Sequence, residues 1–214
     1  MSNTTTEDFT WIITRVDGKI SSVSLDYTGL LKIAYILSGL KPGLSKTKQK
    51  RAAAKMVSAA GCVTTEKMGT DALMELGRNL EWEDLRLFGT EFQLKVWKEL
   101  FRLNHEGAGP KLLSYSEFAT ICNNRPGIRA VAHAVGLNPL PVILPCHRII
   151  PKESIDRITE IEGAAKKTIF GGADIWLFDT IDFGEYALGT AVKRFILGKE
   201  FSYGLPGAEK NGAE

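Results

Sequence analysis

Pro141-Val142-Ile143-Leu144-Pro145-Cys146-His147-Arg148-Ile149-Ile150 is the stretch on which the reading of this chain turns. An apolar, strand-like run is closed by Pro145, and a cysteine and a histidine follow at once. The thiolate is the nucleophilic form of cysteine, so a reactive cysteine needs an electropositive neighbourhood or a base. His147 and Arg148 are candidates for both. Adjacent side chains on an extended segment point to opposite sides, so His147 need not touch the sulfur and can act through a water. Taken alone, a Cys-His dipeptide is more often coincidence than a catalytic pair.

The sequence before this stretch carries a pattern of caps and stripes. Thr90-x-x-Gln93 is a capping box that opens a helix, and Phe92, Val96, Trp97, Leu100 and Phe101 recur at helical spacing. Asn104 to Pro110 reads as a loop. Ser114-x-x-Glu117 is a second capping box and starts a short helix through Phe118 and Ile121, which Asn123-Asn124 breaks. Pro126 falls near the first turn of the next helix, where proline is tolerated. Ile128, Val131, Ala132 and Val135 give that helix an apolar stripe, and Gly136 and Asn138-Pro139 stop it. Helix, tight turn and helix with an apolar inner stripe predict a helix-turn-helix. Arg125, Arg129 and His133 follow one another at steps of four, on a face away from the stripe. Between Lys111 and Arg148 the cations are Lys111, Arg125, Arg129 and Arg148 against Glu117 alone. This is a local footprint for phosphate, although such geometry also occurs in proteins that never meet DNA.

Composition narrows the class. The chain has 214 residues, 27 Lys and Arg, 25 Asp and Glu, a formal charge of +2 and 44% hydrophobic residues. Those values exclude disordered, collagen-like and coiled-coil classes and suit one large domain or two small ones. Three scattered cysteines, Cys62, Cys122 and Cys146, with no CxxC pair, argue against a disulfide framework and a structural zinc site. The N-terminus lacks an apolar leader, and no apolar run reaches the ~18 residues of a membrane span. The expected location is intracellular and reducing.

At the other end of the chain, Phe9 to Val16 and Lys19 to Leu25 are β-rich runs joined by Asp17-Gly18, which reads as a hairpin. Leu30 to Leu40 reads as a helix. Lys46, Lys48, Lys50, Arg51 and Lys55 read as a solvated helix face rather than a phosphate contact, Ala52 to Cys62 as a helix or strand, and Cys62 as a small core residue. Thr64 to Arg86 is polar and weakly patterned, and the domain boundary is placed there. The expected architecture is an α/β N-terminal domain over 1–88, an antiparallel sheet plus helix. A mainly α C-terminal domain over 89–214 follows, with a helix-turn-helix and an active-site Pro-Cys-His-Arg turn.

Pro145 to Ile150, preceded by Asn138-Pro139-Leu140-Pro141, resembles the active-site signature of the O6-alkylguanine-DNA alkyltransferases. Gly89-Thr90-x-Phe92-Gln93-x-x-Val96-Trp97 resembles the first helix of that family's C-terminal domain. Ser114-Tyr115 and Arg129-Ala130-Val131 fall at its helix-turn-helix positions. Tyr186-x-x-Gly189-x-x-x-Lys193-x-x-x-Leu197-x-x-Glu200 resembles its closing helix. Several motifs in the right order, over roughly residues 89–150 and 184–200, are more specific than one.

The resemblance implies DNA repair by a single in-line displacement. Cys146 would take the alkyl group from guanine O6, or thymine O4, as a stable thioether, once per molecule and without cofactor or metal. It implies a relay from Glu200 through His147 and a water to Cys146, with Asn138 tying the helix-turn-helix to the active-site turn. Guanine O6 lies within the stack, so the nucleotide must be extruded. Arg129 matches the residue that fills the vacated space. Tyr115 matches one that crowds the adjoining phosphate and donates to the flipped base, an alternative being a buried aromatic that positions the short helix. Ser114, Pro141, Arg148, Tyr186 and Lys193 are carried over as DNA- or substrate-binding positions. The implied partner is double-stranded DNA bearing O6-alkylguanine, met by a monomer with no membrane.

The chain departs from the family between Ile150 and Gly184, where it is longer than the usual spacer that walls the base pocket. Ile155, Ile158 and Ile161 predict a helical stripe there, and Ile175-Trp176-Leu177-Phe178 is too apolar to lie loose in water, so 151–183 is expected to be a partly ordered, packed insertion. Ala187 and Leu188 replace residues expected at the pocket. Two rival readings follow. One is a lesion-binding protein without chemistry, its pocket altered by the insertion; Cys146 argues against it, because such proteins lack the acceptor cysteine. The other is a cysteine hydrolase, against which stands the lack of an evident oxyanion-hole motif.

Overall fold

The computed structural model describes residues 8–26, 28–38, 63–105, 110–165 and 180–203. The basic run at 46–55, Cys62 and the apolar run at 175–178 lie outside them. The chain falls into two compact units, one of residues 1–94 with 138–144 and the other of 95–137 with 145–214.

The first unit is built on a three-stranded antiparallel sheet in the order β2-β1-β3. Strands β1 (Trp11–Val16) and β2 (Lys19–Ser24) form the hairpin expected from sequence. Its turn places Asp17 at φ 51° and Gly18 at φ 79°, the pair of left-handed residues that a two-residue turn needs to match the twist of its strands. Helix α1 (Thr28–Ser38) follows, and Val16, Ile33 and Val63 share a core with Leu30 and Phe88 packed against it.

Residues 64–86 are not a featureless boundary. They hold most of strand β3 (Val63–Met68) and helix α2 (Thr70–Arg78). The sequence hid the strand because β3 is an edge, with Thr64 to Lys67 exposed, so it lacks the apolar alternation of a covered strand. Helix α2 buries only Thr70, Leu73, Met74 and Gly77, a stripe at the right spacing but with just two large apolar members. The buried Trp11 indole donates to Thr70 Oγ1 at 2.9 Å.

The second unit opens with helix α3 (Glu91–His105), whose first turn belongs to the first unit. Its capping box forms as expected. Thr90 N donates to Gln93 Oε1 at 2.8 Å and Gln93 N donates to Thr90 Oγ1 at 3.2 Å. Val96, Trp97, Leu100 and Phe101 are buried, and the Trp97 indole donates to the Ala134 carbonyl at 2.8 Å. Strand β4 (Leu113–Ser114) leads into helix α4 (Tyr115–Ile121) through the second capping box. Ser114 N donates to Glu117 Oε2 at 2.7 Å and Glu117 N donates to Ser114 Oγ at 3.2 Å. Asn123 then turns the chain at φ 53°. Arg125–Gly127 form one 3-10 turn, and helix α5 (Ile128–Gly136) packs on α4. Val131, Ala134 and Val135 are its buried face, with Ile128 and Ala132 half-buried. This is the helix-turn-helix.

A 3-10 turn at Cys146–Arg148 and strand β5 (Ile149–Ile150) come next, β5 pairing in parallel with β4. Helix α6 (Lys152–Ala165) opens the stretch expected from sequence to be an insertion, and the chain ends its described part in helix α7 (Thr190–Tyr203). Ile150, Ile158, Ile181, Phe183 and Leu197 form one core, with Ile155 and Ile161 against it. The described start of the insertion is therefore packed, as its isoleucine spacing predicts. Among the described residues no helix is long and apolar enough to cross a membrane.

Candidate active site

Cys146 opens the 3-10 turn and is 7% exposed. The turn follows from the chain on both sides of it. Pro145 fixes the entry, and the pairing of Ile149 and Ile150 with Leu113 and Ser114 fixes the exit. Upstream, Asn138 shapes residues 138–144. Its side-chain amide donates to the Leu144 carbonyl at 2.8 Å, and its Oδ1 accepts from Leu140 N at 2.9 Å. Val142 sits there at φ 75°, a conformation that a β-branched residue adopts only where its surroundings impose it. Pro141 is buried in the same segment.

His147 is fully buried, and its Nε2 lies 3.0 Å from Glu200 Oε2. Arg148, 5% exposed, donates through Nε to the same carboxylate oxygen at 2.9 Å, with a second contact between its guanidinium and Glu200 Oε1. The guanidinium also donates to the Leu103 carbonyl at 2.7 Å and to Asn104 Oδ1 at 3.0 Å. Burial alone would raise the Glu200 carboxyl, but the His147 and Arg148 partners outweigh it and bring it down to about 2. Burial also pushes the His147 imidazole below its ordinary value, against the pull of Glu200. A neutral imidazole that donates from Nε2 to a carboxylate keeps its lone pair on Nδ1. That Nδ1 is buried and has no hydrogen-bond partner among the described residues. The arrangement is a base fixed in one tautomer, next in sequence to a cysteine.

Tyr186 brings its phenol oxygen to 3.7 Å from the Cys146 sulfur. Lys193 is 1% exposed. Its ammonium donates to the Ile149 carbonyl at 3.0 Å and to the Phe183 carbonyl at 2.5 Å, and it lies 5.9 Å from the centroid of the Tyr186 ring. Burial pulls it down to about 8, with the Cys146 charge acting the other way. Tyr115 stands at the first position of α4, half-buried, its phenol raised by burial and then by the charges of Cys146 and Glu185. Arg125, Arg129 and His133 are exposed on the helix-turn-helix. The other described cysteine, Cys122, is buried at the end of α4, and burial pushes its thiol up to about 11. The charged groups that act on it are Glu99 and Lys95.

Cys146, His147, Arg148, Tyr186, Lys193 and Glu200 thus come together. Asn138 and Pro141 sit in the approach to the turn, Ser114 is spent as a helix cap, and Arg129 stands on the open face. Sequence reasoning missed Asn104 and the Leu103 carbonyl as partners of Arg148. The signal available was an arginine set between two apolar runs. It also missed that Lys193 points inward. Val192, Lys193, Ile196, Leu197 and Glu200 share one helical stripe, and a lysine and a glutamate on an apolar stripe mark buried, partnered charges.

Residues 91–168 match the family model described as the DNA-binding domain of 6-O-methylguanine DNA methyltransferase. Over this segment, about a third of its length, the chain is similar to methylated-DNA–protein-cysteine methyltransferases. A probable methylated-DNA–protein-cysteine methyltransferase of Acanthamoeba polyphaga mimivirus is 41% identical over 71 residues, 33% of this chain and 45% of that one. The methylated-DNA–protein-cysteine methyltransferase of Haemophilus influenzae is 42% identical over 65 residues, 30% of this chain and 34% of that one. The match therefore spans less than half the length of these curated relatives. Among solved structures, the O6-methylguanine-DNA methyltransferase of Pyrococcus kodakaraensis aligns over 91% of this chain and 93% of its own, with 20% identity and a TM-score of 0.49. Mycobacterium tuberculosis OGT in complex with DNA aligns over 55% of this chain and 53% of its own, with 30% identity and a TM-score of 0.37. Tyr186, Lys193 and Glu200, which lie outside the matched segment, stand beside Cys146 and the His147–Arg148 pair.

Proposed function

We propose that this protein belongs to the methyltransferase family it resembles and repairs DNA by moving an alkyl group from guanine O6 to the sulfur of Cys146. The observation that carries the reading is the His147–Glu200 pair, a buried base held in one tautomer next in sequence to Cys146. The thiol proton passes through a water to His147 Nδ1, and the imidazolium so formed is stabilised by Glu200, whose carboxylate Arg148 keeps ionised. The thiolate attacks the alkyl carbon in line, the C–S bond forms as the C–O bond breaks, and the guanine leaves with the electron pair. Tyr115, still a protonated phenol, donates to that departing base. The product is a thioether, a poor leaving group, so each molecule acts once and works as an intracellular monomer without cofactor or metal.

The helix-turn-helix supplies the DNA contact. Arg125, Arg129 and His133 face outward from it, and the extruded nucleotide leaves a gap that Arg129 fills. Exposed arginines such as Arg125 and Arg129 release counterions from duplex DNA, which makes binding weaken with salt.

The deciding experiment incubates the protein with a duplex carrying O6-methylguanine and weighs the peptide containing Cys146. The expected result is one methyl increment per molecule and no further turnover. Binding with unchanged mass would replace this reading with a lesion-binding one. The Cys146→Ala variant is expected to keep DNA affinity and lose transfer entirely.

A further inference from the structure

Resting on that reading of Cys146, we propose that Tyr186 is a second hydrogen-bond donor to the nucleophilic sulfur, and that Lys193 is the positioning residue that holds and polarises it. The two form a branch separate from the Glu200–His147 pair. The sulfur and the phenol oxygen lie 3.7 Å apart, a hydrogen-bond length for sulfur. While Cys146 is a thiol it can donate to the phenol oxygen. Once it is a thiolate it can only accept, and Tyr186 O–H then becomes the donor. The phenol keeps its proton throughout, because burial, then the Cys146 charge, then the hydrogen bond to Cys146 and the charge of Glu200 raise it well above the ordinary tyrosine value. No proton leaves Tyr186, and the proton lost by sulfur goes to His147.

Lys193 fits the positioning role by its bonds. Two of its three ammonium protons are committed to the Ile149 and Phe183 carbonyls, so the charge cannot swing out to solvent or to a phosphate. It rests 5.9 Å from the Tyr186 ring centroid. A cation at that range is attracted by the ring and draws electron density from it, which makes the O–H a stronger donor. Its charge also acts directly on Cys146. Among the described residues, the charged and titratable groups within electrical reach of this branch are Cys146, Glu200, Asp182, Tyr115 and His147, with Asp182 acting on Lys193 and Arg148 bound to Glu200. Of the cations, Lys193 is the one on the Tyr186 side, since Arg148 is spent on Glu200 and Asn104.

The test reads thiol ionisation without DNA. The rate of Cys146 alkylation by iodoacetamide is followed against pH by mass spectrometry, for the wild type, Tyr186→Phe, Lys193→Met and Lys193→Arg. Tyr186→Phe removes one oxygen and keeps the ring. It is expected to slow alkylation about tenfold at neutral pH, the size of one hydrogen bond to a charged group, and to move the inflection of the profile to higher pH. Lys193→Met should move it the same way, and Lys193→Arg should restore most of the shift. A Tyr186→Phe profile that overlays the wild type overturns the proposal, even where Lys193→Met fails to fold. The methyl-transfer assay separates the two ideas. A shifted profile with no transfer from O6-methylguanine DNA would sink the repair reading and leave this branch standing. Transfer with an unshifted profile would do the reverse.

Discussion

The same residue types are used in opposite ways on the helix-turn-helix and behind Cys146. Arg125, Arg129 and His133 are exposed. Arg148, His147 and Lys193 are buried and bound to a carboxylate, an amide and backbone carbonyls. Counting charges along the chain treats all six alike. Arg148 belongs in the count for 111–148 but offers nothing to a phosphate, because Glu200 neutralises it. On the proposed function, the residues that would meet DNA are Arg125 and Arg129, exposed on the helix-turn-helix. A charge is a recognition element only where it has no carboxylate of its own.

The largest effect that could break this contrast is on folding. Arg148→Met leaves Glu200 with His147 alone and the Leu103 carbonyl without its donor, and should cost about 3–5 kcal/mol in urea denaturation, as loss of one member of a buried pair does. A cost under about 1 kcal/mol would mean that Arg148 behaves like a surface cation. Acid titration comes next. The Glu200 carboxyl, at about 2 in the fold against 4.5 ordinarily, is depressed. Its contribution is complete above the ordinary value and fades as pH falls from there toward 2, with a size on the order of 3 kcal/mol. Glu200→Gln should flatten the acid limb of the stability–pH curve, and a limb unchanged in that variant would place the acid sensitivity elsewhere. The smallest effect belongs to the open face. Arg129→Ala should leave stability within ~0.5 kcal/mol while lowering the salt slope of DNA binding by about 1. Loss of stability there would show that Arg129 is not a free surface group.

Legibility in the sequence followed the same division. Both capping boxes, the Asp17-Gly18 hairpin and the stripe Val96, Trp97, Leu100 and Phe101 form where their spacing predicts, because local hydrogen bonds and one-sided burial write themselves into short patterns. The Glu200–His147 contact joins residues 53 apart, a distance no local pattern spans, and the family resemblance alone anticipated it. Strand β3 escaped notice because an edge strand is free to be polar. Asn104 and the Leu103 carbonyl escaped because a helix end looks complete in sequence, whether its last carbonyls meet water or an arginine from elsewhere.

Lys193 gives the insertion a setting of its own. Its two carbonyl partners, Ile149 and Phe183, stand one just before and one just after the extra residues, and Ser154 Oγ donates to the Asp182 carbonyl between them. One ammonium thus clasps both ends of the excursion at fixed points. With its ends clasped, a longer excursion costs only the slowly growing entropy of a bigger loop, and Tyr186 and Glu200 stay in place. The stretch between Lys152 and Asp182 can therefore differ in length without moving the groups on either side of it.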